Sequence, residues 1–271
     1  MLRIEKQIDE AFEFLPDGIA LCLTGPSGTG KTYNAHRLAK KFGMDLVLPT
    51  DKKTSSTASN IILFYEEAQR MKRQEQEDLL SQIDESAFYT FQKNHEGIPK
   101  AKKHHARFLF ATTHLGDLIE AVRTRCVEVN FSYYSNADMK QVILNNFKFD
   151  DTLIQRIIFA SKGTPRQAVK IGSYVKTYQN KYNDHDAFNN AIKTVGVNFH
   201  GFSRNDVIYM ITLFKNGVTS EKNISNVLGL DPKTIRDTIE NYLFREDYIE
   251  IISRGRRLSD KGYEYVRKNL M

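Results

Sequence analysis

Cysteine and long apolar runs are scarce in this 271-residue sequence. Its two cysteines, Cys22 and Cys126, cannot build a disulfide framework. Both sit in apolar, strand-like surroundings and read as buried thiols of a reducing compartment. Typical apolar runs, Ile19–Leu23 and Ile61–Tyr65, fall far short of the roughly 18 residues that a membrane helix needs. The opening MLRIEKQIDEAFEF mixes acids with apolar residues and lacks the hydrophobic region of a secretory leader, so a cytoplasmic location and no membrane partner are expected. There is no internal repeat, and the only biased tract is the Ser/Thr-rich Lys52–Asn60. What is present excludes wholesale disorder: 41% of residues are hydrophobic and 27% charged. The length accommodates two domains or three small ones. A net charge of +6 and a pI of about 9.1 favour an anionic partner without naming one.

Residues 3–16 have the spacing of a short amphipathic helix, with Ile4, Ile8, Phe12 and Leu15 on one face, ended by Pro16, Asp17 and Gly18. Ile19–Thr24 is apolar without alternation, the pattern of a strand covered on both faces. A glycine-rich turn follows, then a helix near Lys31–Phe42, a short strand Leu46–Leu48 and a polar loop Lys52–Asn60. Ile61–Tyr65 is a further buried strand and Glu75–Ile83 a helix. Phe88–Phe91 and Ala106–Ala111 bracket a basic stretch, and Val127–Phe131 is a fifth core strand. Strands alternating with helices predict an α/β core with a parallel sheet. Over 136–195 only helical periodicity remains; Gly196–Gly201 reads as a linker, and 203–271 as helices followed by a small hairpin. The expected domains are 1–132, 133–198 and 199–271.

Gly25-Pro26-Ser27-Gly28-Thr29-Gly30-Lys31-Thr32 meets G-x-x-x-x-G-K-[ST] at every required position, between a buried strand and a helix. Glycines let successive N–H groups turn inward around phosphate oxygens, and the helix N-terminus adds its positive dipole end. Lys31 supplies a charge for the β- and γ-phosphates and Thr32 a hydroxyl for Mg²⁺; Tyr33 is placed with the nucleotide-binding set. Ile61-Ile62-Leu63-Phe64-Tyr65 ends in Glu66 and Glu67. The first acid is assigned to the metal and the second to general-base work on the attacking water. Aspartate is usual at the first position. Glutamate is one methylene longer, so its carboxylate must sit differently or act through water, which bears on hydrolysis more than on binding. Phe108–Ala111 runs into Thr112 and Thr113, either of which can reach a γ-phosphate or the water held by Glu67. Arg123 and Arg125 precede the last core strand, where an arginine can reach a neighbouring subunit's γ-phosphate. In Gly163-Thr164-Pro165-Arg166, Thr164 and Pro165 start a helix and aim Arg166 from its first turn.

Taken together these segments resemble the AAA+ ATPases, and within them the RuvB family. The matching pieces are GPSGTGKT, ILFYEEAQRM, FATTHLGDL, AVRTRC, GTPRQA and YIEIISRGRR, in the family's order over most of residues 19–271. The resemblance implies a P-loop AAA+ parallel-sheet core, a small all-helical lid and a C-terminal winged helix, with ATP and Mg²⁺ as ligands. It implies Glu67 as the residue that activates water, Thr113 as sensor 1, Arg125 (or Arg123) as the finger in trans, and Arg166 as sensor 2. It further implies a homo-oligomeric ring, usually a hexamer, moving branched or duplex DNA. The TRC element is also similar to the finger of clamp loaders, which leaves open an ATP switch that loads a helicase or clamp. Glu66 leaves open a non-hydrolysing, nucleotide-gated DNA-binding protein. Two departures stand out: a helix of the usual core is missing near Lys52–Asn60, and the lead that normally helps hold adenine is truncated.

Within 203–271, Asn223–Leu230 is a short helix; Asp231 caps the next, Pro232 opens it, and Ile235, Ile239 and Leu243 face the core. Its exposed side mixes Lys233 and Arg236 with Asp237 and Glu240, which disfavours major-groove reading. Arg254, Arg256 and Arg257, on the tip of a hairpin over Tyr248–Leu258, are the candidate phosphate contacts. Lys100–Arg107 (KAKKHHAR) is a second basic element and a candidate surface for a protein partner or DNA. His104 and His105 are adjacent, so on a strand they point to opposite sides and form no metal site.

Overall fold

The computed structural model describes residues 2–49, 60–93 and 99–271, with 90–93 and 99–102 described by their backbone alone. Most of the Lys52–Asn60 loop lies outside this range. The chain forms two compact units: residues up to Gln141 with Thr164–Arg166, and Val142–Gly163 with Gln167–Met271.

The first unit contains the parallel sheet. Its elements are α1 (Arg3–Glu13), β1 (Ala20–Thr24), α2 (Lys31–Phe42), β2 (Asp45–Val47), β3 (Asn60–Tyr65), α3 (Arg73–Asp84), β4 (Ala87–Lys93), β5 (Pro99–Thr112), α4 (Glu120–Arg123), β6 (Cys126–Asn130) and the start of α5 (Asn136–Asn146). Strand order is β2-β3-β5-β1-β6, all parallel, with β4 antiparallel on β5. β1 is an interior strand, between β5 and β6, and is buried at all five positions, as its unalternating sequence predicts. Leu21 and Leu23 pack on one face with Ile8 and Phe12 of α1 and Ala35 and Leu38 of α2. Ala20 and Cys22 pack on the other with Leu79 and Ile83 of α3 and Val122 of α4. The amphipathic α1 therefore covers the sheet, and it is fastened to α2 by buried Asp9, which meets Arg37 at 2.6 Å and Lys41 at 2.7 Å.

The basic stretch before Arg107 is itself strand. β4 pairs with β5 from Ala87↔His105 to Lys93↔Pro99, whereas β3 joins β5 only from His105 onward. Pro99–His104 thus extends past the parallel sheet as a two-stranded ribbon. His104 is buried and His105 reaches Asp17 at 3.2 Å, on opposite sides as the alternation requires.

The second unit holds the end of α5, α6 (Asp151–Ala160), most of α7 (Pro165–Gln179) and α8 (Asp184–Val195). It continues through α9 (Arg204–Asn216), α10 (Glu221–Leu228), α11 (Pro232–Ile235), a π-helical turn (Arg236–Glu240), α12 (Asn241–Arg245), the hairpin β7 (Ile249–Ile252) and β8 (Gly255–Leu258), and α13 (Asp260–Asn269). Side chains of Asp150, Asn183, Ser203, Ser220, Asp231 and Ser259 cap helices, so most boundaries are set locally. The hairpin is not the end of the fold, because α13 returns Tyr265 and Val266 to the core of this region.

Gly196–Gly201 is an ordered turn rather than a linker. Asn198 Oδ1 accepts from the N–H groups of His200 and Phe202, and its Nδ2 donates to Tyr265. Gly201, at φ +75°, lies so close to α6 that a Cβ would stand 2.4 Å from the Ala160 carbonyl oxygen. Lys162 adds a 2.7 Å ion pair to buried Asp206 of α9. The helical segment and the C-terminal region therefore share one unit.

Candidate nucleotide site

The loop after β1 has the local chemistry its sequence predicts. Gly25, Gly28 and Gly30 have φ of +125°, +80° and +98°. A Cβ on Gly25 would meet the Phe131 carbonyl oxygen at 2.1 Å, and one on Gly28 the Arg166 side chain at 3.3 Å. Gly25 is thus required by close approach as well as by dihedral, and Gly28 by its dihedral. Thr29 is buried and donates to the Pro26 carbonyl at 2.9 Å. Lys31 starts α2 and donates to the carbonyls of Gly25 (2.7 Å) and Pro26 (2.9 Å), so its ammonium spans the mouth of the loop. Burial holds its pKa below the usual lysine range, against the pull of Glu67 and with the push of Arg166. Ser27 is exposed, and Tyr33 is 63% exposed with no hydrogen bond among the described residues.

β5 lies between β1 and β3, yet the acids at the end of β3 still reach the loop. Thr32 Oγ1 donates to Glu66 Oε1 at 2.5 Å. Glu67 is left-handed at φ +54° and opens a 3₁₀ turn over Ala68–Arg70. Gln69 folds back so that its Nε2 donates to Glu67 Oε2 at 2.5 Å. The Oε1 of Gln69 accepts from Thr112 Oγ1 at 2.8 Å and from the Thr113 N–H at 3.4 Å. Thr112 is buried, while the half-buried Thr113 hydroxyl lies 2.9 Å from His114 Nδ1. Glu67, Gln69, Thr112 and Thr113 form one network.

Arg166 is exposed in the first turn of α7, and its N–H donates to the Gly28 carbonyl at 3.2 Å. Arg125 is held within its own chain by a bidentate contact to Asp84, at 2.6 and 3.0 Å. That guanidinium keeps the Asp84 carboxyl below the usual carboxylate range. Arg123 is exposed and has no partner among the described residues.

Beside the loop lies a cavity of about 70 Å³ lined by Leu2, Ile4, Asn130–Tyr134 and Asp138. The Tyr134 hydroxyl would stand 3.6 Å from a Cβ on Gly30. Burial pushes the Tyr134 hydroxyl up to about 12, helped by Glu5 and Asp138. Neither Tyr134 nor Gln69 was singled out from sequence. The available signal was position alone: Tyr134 follows the strand beside β1, and Gln69 stands two residues after the second acid.

Residues 200–267 match the family described as the RuvB C-terminal winged helix domain. The chain is 27% identical over 277 residues to the Holliday junction branch migration complex subunit RuvB of Acholeplasma laidlawii, covering 90% of this chain and 80% of that protein. It is 26% identical to RuvB of Ehrlichia ruminantium strain Gardel, covering 96% and 86%. The Thermotoga maritima RuvB Holliday junction branch migration motor superimposes with a TM-score of 0.75 at 21% identity, covering 98% of this chain and 92% of that one. The chain is similar to RuvB over most of its length and has its fold, an α/β AAA+ core followed by a C-terminal winged helix.

The RuvB-like winged helix corrects the sequence reading of its hairpin. Arg256 is not at the tip. It lies on β8 with its side chain 13% exposed, bonded to Glu240 at 2.8 and 3.2 Å and to Glu221 at 2.9 Å. Its guanidinium stabilises the buried Glu240, which also accepts from Tyr209 at 2.9 Å, and so is withdrawn from any phosphate. Alternation along β8 turns Arg257 outward, where it pairs with Glu250 across the hairpin at 2.6 Å. Arg254 sits in the turn, exposed and without a partner among the described residues. No helix among the described residues is long and apolar enough to cross a membrane.

Proposed function

We propose that this chain is an ATP-driven motor acting on DNA, with hydrolysis at the phosphate loop. The observation that carries the reading is the Thr32–Glu66 contact, 2.5 Å, beside Lys31 and one residue before Glu67. A hydroxyl and a carboxylate oxygen side by side are a donor set that fits Mg²⁺, and the longer glutamate makes the contact directly. Thr32 and Glu66 would hold the cation, which when bound neutralises charge on the phosphate oxygens.

The chain's own groups do the rest. The backbone amides of Gly25–Thr32 cradle the phosphates, and Lys31 exchanges the carbonyls of Gly25 and Pro26 for β- and γ-oxygens. Glu67 takes the proton of the attacking water. Thr113 meets the γ-phosphate, and Arg166, against Gly28, adds positive charge beside it. The cavity lined by Leu2, Ile4 and Tyr134 receives the nucleoside end. In a ring of copies, a hexamer in this reading, Arg125 reaches the next subunit's nucleotide after releasing Asp84, or Arg123 does so unreleased. The working division is a core over 1–132, a lid over 133–198 and a winged helix over 199–271. Arg254 and Arg257 contact phosphates without reading sequence, and the basic Lys100–Arg107 segment meets a protein partner through its ribbon part, Pro99–His104.

RuvB relatives named as subunits of a Holliday junction branch migration complex support branched DNA as the substrate. One observation favours a second reading, an ATP switch that loads another replication protein: internal pairing of Arg256 and Arg257 leaves the wing with little unpaired charge. Turnover and strand movement on a four-way junction, with mass measured in ATP, separate the two. A motor shows junction-stimulated hydrolysis, junction movement and an ATP-dependent ring; hydrolysis without movement selects the loader.

A further inference from the structure

We propose that Gln69 is a positioning residue that couples the orientation of Glu67 to the tip of the strand carrying Thr112 and Thr113. The proposal rests on the reading of Glu67 as general base.

The backbone makes the coupling specific. Glu67 is held in the left-handed region, at φ +54°, where a glutamate gains nothing from its own conformation. The 3₁₀ turn that follows is anchored by fully buried Ala68 and closed by Arg70 N–H donating to the Glu67 carbonyl at 2.8 Å. Within this turn the Gln69 amide comes within hydrogen-bond reach of the Glu67 carboxylate.

The direction of the Gln69 amide is dictated by its surroundings. Thr112 Oγ1 accepts from the His114 N–H at 3.0 Å, so its own proton is left for an acceptor, and Gln69 Oε1 takes it at 2.8 Å. The Thr113 N–H points at the same oxygen. A flipped amide would set N–H against N–H, so Nε2 must face Glu67. One carboxylate oxygen of Glu67, Oε2, is thereby pinned at 2.5 Å, and Oε1 is left to meet water. Because a planar amide carries both contacts, a shift of the strand tip when Thr113 meets a γ-phosphate is passed to the base. A residue that only tied the turn to the sheet would not need its donor aimed at Glu67.

The test uses the full chain with ATP, Mg²⁺ and a four-way DNA junction. Gln69→Ala lowers kcat roughly ten- to a hundred-fold, the scale of a misaligned catalytic group, while the Kd for ATP stays within about two-fold. Gln69→Glu keeps the shape and the acceptor toward Thr112 but loses the donor, so it suffers at least as large a loss with its thermal midpoint kept. Thr112→Val lowers kcat less, and combining it with Gln69→Ala adds nothing to the Gln69→Ala loss, as expected of one shared path. Wild-type kcat in Gln69→Glu, losses that appear equally in ATP binding, or multiplying effects of the two positions each overturn the proposal. A wild-type chain that binds ATP but never turns it over refutes instead the assignment of Glu67, and the proposal falls with it.

Discussion

Arg256→Ala separates a structural arginine from a DNA-binding one. The wild-type guanidinium makes three hydrogen bonds, two to Glu240 and one to Glu221. The side chain of Glu240 is 3% exposed, and without Arg256 its only remaining hydrogen-bond partner among the described residues is the Tyr209 hydroxyl. Removing one member of a buried pair leaves an uncompensated charge, at a cost of about 3–5 kcal/mol. For a chain of this size each kcal/mol moves the melting temperature by roughly 2–4 °C, so a fall of the order of 6–20 °C is expected. Adding Glu240→Gln should recover part of the loss, since the stranded carboxylate is gone. Calorimetry reads the melting temperature, and fluorescence anisotropy on duplex DNA reads affinity across a salt series. Arg254→Ala should do the converse, keeping the melting temperature and lowering the salt slope by about one. An Arg256→Ala protein that melts like wild type yet binds DNA more weakly would refute this reasoning.

Other consequences follow from the same contacts. Glu67→Gln should bind ATP normally and fail to hydrolyse it, with turnover down by roughly a hundred-fold or more in a single-turnover assay. Gly28→Ala places a side chain at φ +80° and 3.3 Å from Arg166; a strain of about 1–3 kcal/mol should weaken ATP binding measured by titration calorimetry. Asp9 is buried, which raises its pKa, but hydrogen bonds from Arg37 and Lys41 outweigh this and hold it below the usual range. Its folded-state pKa is thus lowered, so its stabilisation is present above the ordinary carboxylate pKa and lost as pH falls through the lowered one. Asp9→Asn should therefore cost about 1.5–3 kcal/mol in denaturant melts at pH 7, and the gap to wild type should close in strong acid.

The parts of the fold set by local chemistry were legible in the sequence. The buried β1, the loop and the helix starting at Lys31 follow from an unalternating apolar run, three glycines and the lysine–threonine pair, and all three elements form as read. Asp231 and Pro232 opened a helix for similarly local reasons. What long-range contacts decide was not legible. The partners of Arg256 lie 16 and 35 positions away, so a basic turn gave no sign that one of its arginines belongs to the interior. Lys100–Arg107 reads from its residues as a charge run between strand-like pieces, and it is the pairing with β4 that makes its first part strand. Gly196–Gly201 reads as a linker by composition, whereas Gly201 is there because Ala160 leaves no room for a side chain. Gln69 carries no motif signal, since its role depends on a left-handed Glu67 and on a strand more than forty residues later.

Every proposed role in this chain requires the loop from Gly25 to Thr32 to bind a nucleoside triphosphate through main-chain amides and Lys31. Titration calorimetry of the intact chain with ATP and Mg²⁺, run beside Lys31→Ala, tests it directly. Saturable one-site heat is expected for wild type and none for Lys31→Ala at the same concentrations; equal affinity in the two proteins, or no heat in either, would rule this binding mode out.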